Sequence, residues 1–127
     1  MTGLTIAEAA VEVGLTADTL RYYERDDLLL RPVPRASSGR RRYEEPDLRW
    51  ITLITRLRAT GMPIRDVRRY AALVRAGDGN ELDRLELLQA HREVVLQQLA
   101  EVTSHLSAID HKIGIYEDRL RRTELSA

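Results

Sequence analysis

The 127-residue sequence predicts a mainly all-α protein: a headpiece of short helices carrying a small β-hairpin wing, then one long coiled-coil helix. Three patterns lead there. Two short helical segments meet at a glycine turn around Gly14, the stretch from Arg31 to Tyr43 mixes arginine with two prolines and a Ser-Gly pair, and from Leu85 onward apolar residues keep a heptad spacing.

Thr5 is followed three residues later by Glu8, the spacing of a capping box, and Ala9, Ala10 and Val13 give the first helix an apolar face before Gly14 ends it. Thr16 can cap a second helix starting at Ala17, with Leu20 and Tyr23 turned to a core. Helix, tight glycine-containing turn, helix is the helix-turn-helix pattern, which many small helical domains also show. Off the apolar stripe lie Thr16, Asp18, Thr19, Arg21, Tyr22 and Arg25, side chains able to reach phosphates and base edges in a major groove. A solvated polar face is the alternative; Arg21 and Tyr22 are assigned to DNA and Tyr23 to the core.

Two prolines and Ser38-Gly39 keep the segment Arg31 to Tyr43 out of a helix and suit extended pieces around a turn, a wing. Its five arginines have no acid among them, so their repulsion asks for an anion, and a phosphate backbone would serve; a solvated basic loop is the plainer reading. Arg35, Arg40, Arg41, Arg42 and Tyr43 are therefore expected to contact DNA. Pro46 suits the first turn of a third helix carrying Leu48, Ile51, Ile54 and Leu57 and stopping at Gly61. Pro63 starts a fourth, with Ile64, Val67, Tyr70, Ala71 and Val74 inward and Arg65, Arg68 and Arg69 outward; Arg65 joins the expected DNA contacts. Trp50 falls at the edge of the third helix's stripe, where it either packs or lines an effector pocket.

Beyond a break at Ala76 to Asn80, heptad positions a hold Leu85, Arg92, Leu99, Leu106, Ile113 and Leu120, and positions d hold Leu88, Val95, Val102, Ile109, Tyr116 and Thr123. Ten of these twelve are apolar, and a lone helix has nothing to bury such a stripe against, so a homodimer is expected. From Leu85 to Leu120 the helix would span about 54 Å, enough to hold two headpieces at successive major grooves some ~34 Å apart. The expected division is residues 1–75 for DNA binding, 76–81 as linker, 82–123 as dimerisation helix and 124–127 as tail.

The balance of 20 Lys+Arg against 20 Asp+Glu hides an uneven distribution. Residues 1–75 hold 14 arginines and 10 acids, residues 76–127 six cations and 10 acids, and the window 31–75 alone is +8. A polyanion partner is implied for the first half only. Without cysteine there is no disulfide, thiolate metal site or thiol switch. His91 and His105 flank the coil seam without a three-ligand cluster, and no Gly-rich phosphate loop or catalytic constellation appears, so neither metal, cofactor nor enzymatic activity is expected. No apolar run reaches the roughly 18 residues of a membrane span, and a cytoplasmic location is expected.

The run Thr16-Ala17-Asp18-Thr19-Leu20-Arg21-Tyr22-Tyr23-Glu24, the basic wing ending in Tyr43, and the segment from Asp47-Leu48 through Arg58 to Gly61-Met62-Pro63-Ile64 resemble the MerR family of bacterial transcription regulators. The likeness covers about 75 residues, and the coil extends it. It implies a winged helix-turn-helix, an antiparallel dimer coil, and a pseudo-palindromic promoter whose over-long spacer is bent and untwisted for RNA polymerase. It also implies that Arg21 and Tyr22 serve the recognition helix and Arg41 with Tyr43 the wing. Where the family has Gly-Tyr-Arg, this chain has Gly39-Arg40-Arg41, and the cysteines of the metal-, redox- and thiol-sensing branches are absent. The segment Ile109 to Tyr116 resembles the short branch that includes aldehyde-stress regulators, so no separate ligand-binding domain is expected and any small-molecule effector is not sensed by a thiol.

The coil's charges pull the other way. Position-g His105, Lys112 and Arg119 would meet position-e Asp110, Glu117 and Glu124 in a parallel pair, whereas antiparallel pairing sets g beside g. Exposed pairs contribute only ~0 to 1 kcal/mol each, so the antiparallel orientation implied by the headpiece is retained. An architectural DNA-bending protein without a sensing role is the alternative function.

Overall fold

The computed structural model describes residues 3–126, so the first two residues of the expected headpiece and the last of the expected tail lie outside it. Five helices run in order: α1 (Ile6–Val13), α2 (Ala17–Arg25), α3 (Glu45–Ala59), α4 (Ile64–Arg75) and α5 (Glu81–Ser126). The mainly all-α class is as predicted.

Local chemistry sets the boundaries. Thr5 and Glu8 exchange hydrogen bonds with each other's backbone N–H at 3.2 and 3.0 Å, and Gly14 takes the left-handed conformation at φ 71° that ends α1. The Thr16 hydroxyl accepts from Thr19 N at 3.1 Å to start α2. Asp47 accepts from Glu44 N at 2.9 Å and fixes the start of α3 one residue before Pro46.

The wing departs from a strand pair. Among the described residues it consists of isolated antiparallel bridges, Arg35 with Arg41 and Leu4 with Tyr43. Gly39, at φ 83°, closes the turn, with its N–H on Ala36 O and Ala36 N–H on Arg40 O, both 2.8 Å. Pro32 and Pro34 have no N–H to extend the ladder, so the hairpin's backbone pairing stays short. The N-terminal segment, unassigned from sequence, supplies the second bridge: Leu4 and Tyr43 exchange both backbone bonds at 2.7 and 2.8 Å.

Around this lies the headpiece core, where Leu20, Tyr23, Leu28, Tyr43, Ile51, Ile54 and Val67 are fully buried. Trp50 belongs to that core, only 8% exposed, its indole N–H donating to Leu28 O at 2.7 Å and its ring stacked on Tyr70 at 5.7 Å.

The break between α4 and α5 is fastened. Arg75 donates to Asp27 O and Leu29 O at 2.9 and 2.7 Å, Asn80 to Leu73 O at 2.8 Å, and Arg84 to the Asn80 side chain and Gly77 O at 2.6 Å each. Leu87 is 8% exposed and Leu88 packs on the same core. The first compact unit ends at Gln89 and a second begins at Ala90. In that second unit Leu99, Val102, Leu106, Ile109, Ile113, Tyr116 and Leu120 remain exposed. Of the other expected seam residues, Leu85 is exposed and Val95 half-buried, while Leu88 is already engaged by the headpiece.

Candidate nucleic-acid interface

Helix α2 sorts its residues by face. Leu20 and Tyr23 point inward, and the Tyr23 hydroxyl lies 3.2 Å from that of Thr55. Thr16, Asp18, Arg21 and Arg25 are exposed and Thr19 half-buried. The Thr16 and Thr19 hydroxyls lie 2.9 Å apart, and Arg21 reaches back to Asp18 at 2.8 Å, an exposed pair that a stronger anion can break. Tyr22 is half-buried between cations, with the Arg58 guanidinium 5.4 Å and that of Arg25 6.0 Å from its ring centre. Arg58 also sits 5.6 Å from the Tyr23 ring, so one α3 arginine lies over both tyrosines. Arg68 of α4 pairs with Asp26, which holds that carboxyl below its usual range.

The wing's arginines divide sharply. Arg40, at the tip, is exposed. Arg35 and Arg41 converge on one carboxylate oxygen, Glu24 Oε1, at 3.2 Å from Arg35 and at 3.2 and 3.1 Å from two nitrogens of Arg41. Arg31 grips Asp47 and Glu44 at 2.9 and 3.1 Å. Three of the five wing arginines thus have carboxylates of their own chain, which corrects the inference that the loop needs an external anion. Arg42 is half-buried with an unpartnered Nε.

Tyr43 is also placed differently from the expected DNA contact. It is completely buried, its hydroxyl has no hydrogen-bond partner, and burial pushes its pKa up. Its ring plugs the wing into the core. Arg65, at the start of α4, is 85% exposed and 4.0 Å from Asp66. Trp50 edges a depression of about 200 Å³ shared with Leu29, Leu30, Arg31, Pro46 and Asp47. No cluster of three metal-ligating side chains occurs among the described residues, and no helix there is long and apolar enough to cross a membrane.

Sequence reasoning missed Glu24 and Arg58 as organisers of the site. Glu24 follows Arg21 by three residues on the same flank of α2, so its position was readable, but nothing local says which arginine it meets.

A capped helix bearing exposed polar and cationic side chains beside an arginine-rich hairpin defines a winged helix-turn-helix, the headpiece of a DNA-binding protein. The family model described as MerR HTH family regulatory protein matches residues 4–73, and that described as MerR, DNA binding matches 48–112. The chain belongs to the MerR family of DNA-binding transcription regulators, proteins that act on transcription and are not enzymes. An uncharacterised HTH-type transcriptional regulator of Haemophilus influenzae is 35% identical over 89% of this chain and 83% of its own length. The crystal structure of HiNmlR, a MerR family regulator lacking the sensor domain, bound to promoter DNA, matches at 34% identity and TM-score 0.82 over 92% of both chains. That of a MerR family transcriptional regulator from Listeria monocytogenes matches at 36% identity and TM-score 0.86, over 95% of this chain and 91% of its own.

Proposed function

We propose that this regulator binds a pseudo-palindromic promoter as a homodimer and distorts the spacer between the promoter elements, so that RNA polymerase can engage them. The observation carrying the dimer is the row of exposed apolar side chains from Leu99 to Leu120, an unpartnered coiled-coil seam. Leu85 and Val95 extend that seam, whereas Leu88 packs on the headpiece core, and the two strands run antiparallel. The contacts to DNA come from Thr16, Asp18, Thr19, Arg21, Tyr22 and Arg25 on α2, from Arg40 and Arg42 with the tied Arg35 and Arg41 on the wing, and from Arg65. Likeness to a regulator bound to promoter DNA supports the partner. Any effector is not sensed by a thiol, since the chain has no cysteine, and the depression beside Trp50 is the place assigned to it.

Titration of a cognate promoter fragment and of random duplex DNA with the Arg21→Ala protein tests the assignment of α2. Cognate affinity should fall by roughly 5- to 150-fold per half-site, the ~1 to 3 kcal/mol of a base contact, and by the product of the two for the dimer, while random DNA changes far less. Equal losses on both would remove Arg21 from sequence readout.

A further inference from the structure

The wing's charged ties to α2 converge on one carboxylate. Arg35 and Arg41 form the hairpin's bridge, one from each side, and both guanidiniums end on the same oxygen of Glu24, on the recognition helix. That bridge consists of two backbone bonds, Arg42 N–H to Pro34 O at 2.7 Å and Ala36 N–H to Arg40 O at 2.8 Å, and the pairing of Leu4 with Tyr43 adds the other backbone anchor. The hairpin's prolines prevent a longer ladder. The hairpin therefore takes its direction from side chains, and among the described residues Glu24 is the charged one joining it to α2. The carboxylate is 22% exposed and Arg41 23%, so water competes only weakly for this tie.

We propose that Glu24 is a positioning residue for sequence discrimination: it sets the angle between wing and recognition helix, so that Arg40 meets a phosphate when α2 is in register with the correct bases. Without this tie, the wing must be ordered at the moment of binding, at a cost that falls on the cognate complex. Random DNA does not require both elements to engage in one fixed geometry, and removal of an acid beside a polyanion favours its approach. Discrimination, rather than affinity as such, is what Glu24 contributes. The proposal rests on the assignment of α2 and the wing to DNA.

The test combines two readings on Glu24→Gln, which keeps the side chain's size and removes its charge. Because the chain has no cysteine, Ser38→Cys at the wing's turn accepts a single dye. Its nanosecond anisotropy reports wing motion without DNA. The expected result is a more mobile wing together with about a tenfold drop in the ratio of cognate to random-DNA affinity, random binding being unchanged or tighter. Glu24→Asp, which keeps the charge on a shorter arm, should fall between, and it carries the test if Glu24→Gln does not fold. An unchanged anisotropy overturns the tie whatever the DNA role of these elements. A mobile wing with an unchanged affinity ratio, or with equal losses on cognate and random DNA, overturns the link to discrimination.

Discussion

Truncation of Leu106 to alanine should dismantle the proposed dimer while leaving each headpiece folded. In the single chain Leu106 is 54% exposed, with Val102 and Ile109 beside it at 63% and 57%. Pairing the seams would remove roughly 90 Å² of Leu106 from water, about 2 kcal/mol at ~25 cal/mol per Å². Alanine keeps part of that area but leaves a cavity, and a two-fold dimer contains the site twice. The cost comes to about 3 to 4 kcal/mol of association energy, a rise in the dissociation constant of roughly 100- to 1000-fold. Sedimentation velocity over a dilution series would measure it, with Ser104→Ala, on the outer face of the same helix, as the control expected to change nothing. Promoter binding should become steeply dependent on protein concentration in the variant. A dimer constant within threefold of the parent's, with helicity retained, would refute the assignment of this seam to self-association.

Three further outcomes follow from the headpiece. Arg40→Gln should make the slope of log affinity against log salt shallower by about 1.8 for the dimer, on cognate and random DNA alike, as loss of one phosphate contact per protomer requires; an unchanged slope would take Arg40 off the backbone. Tyr43→Phe removes a buried hydroxyl that has no partner and should leave stability unchanged or raise it by about 1 kcal/mol, read as the thermal midpoint. The Asp26 carboxyl is held below its usual pKa, chiefly by its hydrogen bond to Arg68, so its contribution is complete above the ordinary carboxylate range and lost as pH falls through the lowered value. Asp26→Asn should therefore flatten the acid limb of stability against pH, and an identical limb in parent and variant would count against the pair.

What the sequence makes legible here are features written in one segment. The capping box at Thr5 and Glu8, the cap at Thr16, the stop at Gly14 and the alternation of Leu20 and Tyr23 with polar neighbours depend on residues within a turn or two of each other. The heptad stripe is legible for the same reason. The Glu24 tie, the placement of Arg58 over both tyrosines and the pairing of Leu4 with Tyr43 join residues far apart in the chain, and no local period announces them. Tyr43 shows the limit most clearly: in a run of arginines it reads as another contact to the polyanion, yet a phenol ring gains more by leaving water than a guanidinium does, and the core takes it. Trp50 has the same ambiguity at the edge of a stripe. Its hydrogen bond to Leu28 O, a loop carbonyl outside any periodic pattern, commits it to the interior.

The bolt formed by Asn80, Arg84 and Leu87 bears on where this protein can be divided. A fragment ending at Arg75 would strip the cover from the part of the core that Leu87 and Leu88 close, and would leave Leu73 O without the Asn80 side chain that donates to it. The first compact unit, which runs to Gln89, takes with it the opening turns of α5. The helix that closes the headpiece core through Leu87 and Leu88 is also the one whose later residues carry the exposed apolar row, so removing that row alone means cutting inside α5 and not ahead of it.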